Sequence, residues 1–229
     1  MISKLTDIME FIDRCAGYLA QRGVVFDALG FPVMEKTWYL GELPDQMVTY
    51  RDRNNGYIRD KSKTVICFFC GDERIYPRFE NLFNEIEEYR PFMGVVGADI
   101  TVTSDMDIEW QEALMLANQL FTAVLGVNGV KIIQNLRCGS AETLRCLSSV
   151  PKGVLCASGT LGCDRTASHS DMRYTEKLMH VRPSGILMYG KSDPIMEQQI
   201  GLVGIPYMLY RDAHVEKKKF SASRKAGLL

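Results

Sequence analysis

Short apolar runs alternate with amphipathic helical stretches along most of the chain. Six runs have strand-like composition: 64–70, 92–100, 130–136, 153–158, 185–189 and 206–210. The stretches between them have helical spacing: 77–89, 108–126, 140–150, 171–181 and 194–203. Because strands that alternate with helices pair in parallel, the pattern predicts an α/β fold with a mostly parallel sheet of about six strands. An open three-layer sheet and a compact or incomplete β/α barrel both fit, since the pattern does not determine strand order.

The first 60 residues lie outside this alternation. Residues 1–22 have the spacing of an amphipathic helix, and residues 24–60 are interrupted by glycine and proline. We expect one α/β domain over 1–212, with 1–60 packed on it as a helix and an irregular segment. The residues that follow, 213–229, are polar and basic, and are expected to form a mobile tail.

Composition and charge exclude several classes of protein. Of the 229 residues, 46% are hydrophobic and 24% are charged, which is the balance of a globular protein with one sizeable core. The formal net charge of -1 gives no general attraction to nucleic acid or anionic lipid. No apolar stretch reaches the ~20 residues that span a bilayer. The seven scattered cysteines and the acidic N-terminus fit a cytoplasmic protein with reduced thiols and no signal peptide.

Two short motifs in the sequence match known site patterns, but their surroundings do not suit those sites. Residues 185–192 satisfy the phosphate-loop pattern, but the four residues between its glycines have the composition of a strand. Cys67 and Cys70 are spaced as a CxxC, but in an extended strand they would face opposite sides of the sheet. Neither match therefore predicts a nucleoside-triphosphate site or a zinc site.

Polar residues follow the strands of the predicted sheet, where α/β proteins bind their ligands. Asp72 follows the first predicted strand and Asp99 ends the second, so neighbouring strands would bring two carboxylates together for acid–base catalysis. The same pair would suit a divalent cation, which is the cofactor that the sequence suggests. Asn135 and Arg137, at the end of the third strand, are candidate partners for Asp99, since a buried carboxylate needs one.

The connection after the fourth predicted strand, at 158–171, adds hydroxyl groups and flexible backbone. Ser158, Thr160 and the backbone at Gly162 can cradle a phosphate or a carboxylate, because glycine lets neighbouring N–H groups converge. Lys191 follows the fifth strand beside the start of a helix, where a cation and a helix N-terminus together attract an anion. A flexible surface loop and a solvated lysine are the alternative interpretations.

Four segments, taken in order, resemble one protein family. They are CFFCGDERI, VVGADITVTSDMD, VKIIQNLRCGSAETLRCLSSVPKGVLCASGTLG and PSGILMYG. Together they resemble the domain-of-unknown-function family 4417 (DUF4417), a family of uncharacterised phage and mobile-element proteins, over roughly residues 31–212. The positions that match its pattern are Asp72, Asp99, Asn135, Ser158, Thr160 and Gly162.

The chain also departs from the family pattern. Ala98 and Gln134 stand where prolines are expected. Ile100 and Thr101 replace an aromatic–serine pair, and residues 149–151 replace a glycine–isoleucine–proline link. Because the family has no assigned activity, the resemblance implies a setting, the cytoplasm of a bacterial host, and implies no reaction.

The sequence leaves three functional hypotheses open. The first is a protein that binds or hydrolyses a small anionic, nucleotide-like or phosphorylated ligand at the carboxyl ends of the strands. The second is a non-catalytic protein that binds a host or phage protein, which the 12 methionines and the lack of a recognisable catalytic set favour. The third, a metal-dependent nuclease, is disfavoured because tight nucleic-acid binding needs a basic surface. No membrane partner is expected.

Overall fold

The structure is a computed structural model that describes residues 5–160, 173–213 and 215–218. Within these residues there are seven strands: β1 (Gln46–Thr49), β2 (Thr64–Cys67), β3 (Gly94–Val96), β4 (Ile132–Asn135), β5 (Leu155–Gly159), β6 (Gly185–Gly190) and β7 (Tyr207–Arg211). All pair in parallel, in the order in which they occur along the chain. An open doubly wound sheet reverses its strand order, whereas a barrel keeps it. The sheet is therefore a nearly closed barrel.

The helices connect successive strands. The described α-helices are α1 (Leu5–Ala20), α2 (Asp72–Tyr89), α3 (Ile108–Val127), α4 (Arg173–Val181) and α5 (Pro194–Leu202). A 3-10 helix, Ala141–Leu147, takes the place of an α-helix between β4 and β5. Helix α1 precedes the barrel and packs on α3, and its Phe11 ring lies 4.5 Å from the Phe79 ring of α2. The predicted α/β class, parallel sheet and N-terminal helix are confirmed.

Three elements differ most from the sequence prediction, and β3 is shorter than the predicted strand 92–100, so Asp99 lies in the loop that follows it. Strand β1 lies in the segment expected to be irregular, because its four residues are too few for a periodicity signal and gain their order by pairing with β2. Helix α2 begins at Asp72 rather than at Pro77, since the two acidic residues of its first turn suit a helix N-terminus. The helix expected over 140–150 is the shorter 3-10 helix.

Alternating side chains of the strands build two cores. On β2, Val65 and Cys67 face the barrel interior, whereas Ile66 faces the surrounding helices. The interior is closed near its carboxyl end by Phe69 and Tyr189, whose rings stack 6.1 Å apart. Beside them Gly159 is required, because a Cβ there would lie 2.7 Å from the Phe69 ring. The interior is thus a packed core, so any ligand of the barrel would have to bind outside it, at a rim.

The barrel comes together between β1 and β7. The Tyr210 hydroxyl of β7 donates a hydrogen bond of 2.8 Å to the carbonyl oxygen of Pro44, just before β1. Of the tail predicted over 213–229, the described residues are 213 and 215–218, and the rest lies outside them. None of the described helices combines the length and apolar character needed to cross a bilayer.

Candidate functional site

The carboxyl ends of β3 and β4 bring three of the predicted residues into direct contact. Arg137 donates to Asp99 through two bonds, Nε to Oδ1 at 2.9 Å and Nη2 to Oδ2 at 3.0 Å. Asn135, the last residue of β4, donates from Nδ2 to Asp99 Oδ1 at 2.7 Å and to the Ala98 carbonyl oxygen at 2.9 Å. The expected partnership of Asp99 with Asn135 and Arg137 is present in the structure.

The burial of this pair is unequal. The Asp99 side chain is 11% exposed, whereas the Arg137 side chain is 30% exposed. Two charges removed from water need good geometry and further hydrogen bonds, and the arginine fork and the Asn135 amide supply them. The result is a guanidinium that is held in one orientation and still reaches solvent.

Helix α3 fixes the loop that carries Asp99. The Asn118 side chain accepts from the Ile100 N–H at 3.0 Å and donates to the Ile100 carbonyl oxygen at 3.3 Å. Gly97 lets this loop approach the helix, because a Cβ at that position would lie 2.5 Å from Thr122 Oγ1. The amide of a helix residue therefore holds the backbone next to Asp99 as a neighbouring strand would.

Asp72 lies at the first turn of α2, on the other side of the same loop. Its Oδ1 accepts from the Thr101 N–H at 3.1 Å and from the Thr101 hydroxyl at 3.0 Å. Burial raises the pKa of Asp72, and the negative charge of Asp99 adds to this, against the lowering effect of the Thr101 hydrogen bonds and of Arg137. A half-buried carboxyl group with a raised pKa is typical of groups that transfer protons.

The other predicted residues form a separate set at the ends of β5 and β6. Ser158 faces outward and shares a 3.0 Å hydrogen bond with the Tyr174 hydroxyl of α4. The Thr160 hydroxyl accepts from the Lys191 N–H at 2.8 Å and donates to the Lys191 carbonyl oxygen at 2.9 Å. The Lys191 side chain is exposed. Gly162 lies outside the described residues.

A small cavity lies beneath Arg137, between β4 and α3. Its lining includes the amide-bearing residues Asn118, Gln119, Gln134 and Asn135. A space of about 10 Å³ has room for about one water molecule, and the amides offer it hydrogen-bond partners. The cavity is therefore too small for a substrate, and an organic ligand would have to bind above it at the rim.

The described residues give little support to a metal ion. No group of three or more histidine, cysteine, aspartate or glutamate side chains is placed to bind one among the residues that the structure describes. Both oxygens of Asp99 accept from Arg137, so a cation there would have to compete with the guanidinium for this carboxylate. The pairing of Asp72 and Asp99 on a metal stays a prediction.

The CxxC cysteines are core thiols. Cys67 is fully buried in the barrel interior, and Cys70 lies three residues on, past the end of β2 and partly buried. Burial raises the pKa of the Cys67 thiol well above its usual value and that of Cys70 to about 11. Both side chains are therefore neutral thiols at physiological pH, which disfavours metal and redox chemistry.

Sequence reasoning missed two groups of this rim. Thr101, which holds Asp72, entered the sequence comparison only as a departure from the family pattern, and its contact with Asp72 was not predicted. Asp52 follows the unrecognised strand β1 and has a side chain that is 2% exposed. If β1 had been recognised in the sequence, Asp52 would have been placed near a strand end. Asp72 and Asp99 were found in that way from the strands that were predicted.

Comparison with known proteins gives one match. The model of a family described as a domain of unknown function (DUF4417) matches residues 26–207, which is most of the chain. Neither the curated proteins nor the solved structures include a significant match.

Proposed function

The chain belongs to the DUF4417 family, and we propose that it binds or hydrolyses a small anionic ligand at the carboxyl ends of β2, β3 and β4. Arg137 binds the anionic group, and Asp72 moves a proton to or from the ligand or an attacking water. One observation supports the proposal: Arg137 is oriented by Asp99, which Asn135 holds in turn, and its side chain remains 30% exposed at the rim of the barrel.

The chemistry of arginine favours a phosphate or a carboxylate as the bound group. A guanidinium is planar, always charged, and presents five N–H donors in a fixed fork that matches these anions. The bonds to Asp99 come from Nε and Nη2 and fix the plane of the fork. An arginine that is oriented before the ligand arrives loses less entropy on binding, which increases affinity.

Asp72 supports a reaction in addition to binding. The raised pKa of this carboxyl group, caused first by burial and then by the charge of Asp99, moves it toward the range in which a carboxyl group both accepts and releases a proton. Asp99 is occupied by Arg137 and acts as a positioning residue. We therefore assign the acid–base role to Asp72, with Asp99 contributing through Arg137.

The second set of polar residues extends the proposed site. Ser158, Thr160 and Lys191 stand at or just after the ends of the next two strands, and a ligand of nucleotide size would reach from Arg137 toward Thr160 and Lys191. Gly162, the fourth residue predicted for this set, lies outside the described residues. The exposed Lys191 would then bind a second anionic group. A divalent cation, if one takes part, would be held by Asp72 and by the ligand. A bacterial cytoplasm and a phage or mobile element as the source belong to the same proposal.

A thermal-shift screen tests the proposed function. Purified protein is heated with inorganic phosphate, nucleotides, phosphorylated metabolites, carboxylates and divalent cations, each alone and in pairs. A ligand at about 100 times its Kd adds ~2.7 kcal/mol of stability, which raises Tm measurably. We expect an anion to stabilise the wild type and to stabilise Arg137→Lys much less. If no compound raises Tm, a protein partner becomes the better hypothesis.

A further inference from the structure

Four cations lie together at the amino end of the barrel, opposite the candidate site. Lys131 directly precedes β4, whereas Lys152 stands three residues before β5 and Arg182 three residues before β6. Because the strands are parallel, these residues lie at the same end of the sheet. Lys36 joins them, since its 3-10 helix is followed at once by a bridge to the first residue of β4. All four residues are exposed, and we name them the basic cluster.

Contacts between the loops bring the four residues onto one surface. A Cβ on Gly153 would lie 3.2 Å from the Lys36 Nζ, so this ammonium rests on the backbone next to Lys152. The Gly153 N–H donates to the Arg182 carbonyl oxygen at 2.9 Å, which brings in the third cation. Lys131 donates from Nζ at 2.7 Å to the carbonyl oxygen of the residue after Lys36. The cluster is therefore a continuous surface across the amino ends of β4, β5 and β6.

The positive charge of this surface is not neutralised within the described part of the chain. There, none of the four cations forms an ion pair. Glu35, the acidic neighbour of Lys36, accepts a hydrogen bond of 3.1 Å from the Thr37 hydroxyl, and one acid against four cations leaves the surface positive. Partial burial lowers the pKa of Lys152, and the charge of Arg182 lowers it further. Cations that repel one another and lack a counter-ion favour the approach of an anion.

Hydrogen bonds fix the positions of two ammonium groups without exhausting them. Lys152 Nζ donates to the carbonyl oxygen of His180 in the last turn of α4, and Lys131 Nζ donates to that of Thr37. An ammonium group has three N–H donors, so each keeps two for a ligand. The His180 ring lies at the same place, with Nε2 3.1 Å from the Ser148 hydroxyl. Lysines that are already held in place lose less side-chain entropy when an anion binds.

The spread and exposure of the cluster favour an extended polyanion as its ligand. A single small anion at exposed lysines gains little, because water and salt screen each contact. A chain of phosphates contacts several cations at once and releases the counter-ions bound along it, so the contacts add up to a measurable affinity. Lysine acts as a point charge and imposes no fork geometry, which suits a backbone of any sequence. The net charge of -1 conceals this surface, because it sums over the whole chain.

We propose that the basic cluster binds the phosphate backbone of a nucleic acid, without base specificity, at the end of the barrel opposite the candidate site. Contact with up to four phosphates gives a moderate affinity that depends strongly on salt. The inference rests on Lys36, Lys131, Lys152 and Arg182, and does not depend on the anion site at Arg137. It describes binding and assigns no reaction on the nucleic acid.

Fluorescence anisotropy of a labelled oligonucleotide of about 20 nucleotides, single-stranded or duplex, tests the proposal. The wild type is compared with the variant Lys36→Gln, Lys152→Gln, Arg182→Asn, in which asparagine is chosen because Arg182 has a left-handed backbone with φ at 51°. Each lost phosphate contact lowers the slope of log Kd against log salt by about one. We therefore expect the variant to lower that slope by about two to three, and to raise Kd about tenfold or more at ~50 mM salt.

A matched control removes three cations from the C-terminal segment. The variant Lys219→Gln, Arg224→Gln, Lys225→Gln should change the slope by less than about one. An equal loss in this control would overturn the proposal, because net charge or that segment would then account for binding. So would the absence of oligonucleotide binding by the wild type at ~50 mM salt. Binding of a polyglutamate peptide in place of the oligonucleotide would also overturn it, since the surface would then suit an acidic protein.

Two double variants cover the case in which the triple variant fails to fold. Lys36→Arg, Lys152→Arg keeps the charge at both positions, so we expect the slope of the wild type. Lys36→Gln, Lys152→Gln removes both charges and should lower the slope by about one to two. Circular dichroism checks that each variant is folded. Equal slopes in the two double variants would contradict binding of phosphates by these lysines.

Discussion

Arg137 donates two hydrogen bonds to Asp99, at 2.9 Å from Nε to Oδ1 and at 3.0 Å from Nη2 to Oδ2. The two residues follow neighbouring strands, so their contact is a direct consequence of the parallel pairing of β3 with β4. The pair joins the ends of these strands and fixes the plane of the guanidinium. Both the stability of the rim and the orientation of the proposed anion site depend on this contact.

Removal of the arginine is expected to destabilise the fold. Arg137→Gln leaves the Asp99 carboxylate, which is 11% exposed, with Asn135 as its remaining described partner. The loss should be about 1–3 kcal/mol, the cost of an unpaired buried polar group, and urea denaturation measures it. Addition of Asp99→Asn to this variant should recover part of the loss, since a neutral amide needs no cation. Additive losses in the double variant would show that the two residues do not act as a pair.

The raised pKa of Asp72 should make the stability of the fold depend on pH. Because its pKa is raised in the folded state, folding favours the protonated form, and this contribution is fully present below the ordinary carboxyl pKa of about 4. It is lost as the pH rises through the raised pKa of the folded state. The free energy of unfolding of the wild type relative to that of Asp72→Asn should therefore fall as the pH rises from about 3 to values above the raised pKa of Asp72. A difference between the two proteins that does not change with pH would contradict the raised pKa.

A side chain at position 97 is expected to clash with Thr122, and removal of the Thr122 hydroxyl is expected to relieve the clash. Gly97→Ala places a Cβ 2.5 Å from Thr122 Oγ1, so the loop that carries Asp99 must move away from α3. Destabilisation of about 1–3 kcal/mol is expected from such overpacking, and Thr122→Ala in the same chain should restore much of it. Gly17→Ala is the control, because a Cβ there meets nothing within 4 Å and α1 should gain about 0.5–1 kcal/mol from the alanine. A loss of stability in the control would show that the effect is not specific to Gly97.

The CxxC pair is expected to be unreactive in the folded protein. With a pKa of about 11, Cys70 is about one-thousandth thiolate at pH 8, and Cys67 is buried as well. Labelling by an aromatic disulfide reagent, taken as the signal that is lost in a Cys67→Ser, Cys70→Ser variant, should therefore be slow in buffer and fast in concentrated urea. Fast labelling in buffer that disappears in Cys70→Ser would contradict the assignment of Cys70 as a core thiol.

The sequence determines much of the fold because its signals are local. Strands such as β6, GILMYG, are short continuous apolar runs, and the helices between them keep their spacing, so the class and the parallel sheet are predictable. Closure into a barrel is a long-range property. It depends on contacts such as Tyr210 with Pro44, which are distant in the sequence, and on a strand of four residues that has no distinct pattern.

In the candidate site too, some contacts follow from local sequence signals and others depend on long-range packing. Asp99, Asn135 and Arg137 are predictable as neighbours, because all three stand at strand ends and parallel strands align their ends. Ser158 is at a strand end too, but the alternation of the strand turns its side chain outward to Tyr174, which only the register reveals. The role of Asn118 depends on its hydrogen bonds to Ile100 in another element, and residue type alone does not reveal it.

Calorimetric titration of the most stabilising anion into wild type and variants tests the central claim most directly. Arg137→Lys keeps the positive charge and loses the fork, so we predict that Kd rises about tenfold or more. Lys63→Ala, which removes an exposed cation at the opposite end of β2, should leave Kd within about twofold of the wild type. Unchanged affinity in Arg137→Lys, or an equal loss in Lys63→Ala, would contradict the proposal that Arg137 binds the ligand.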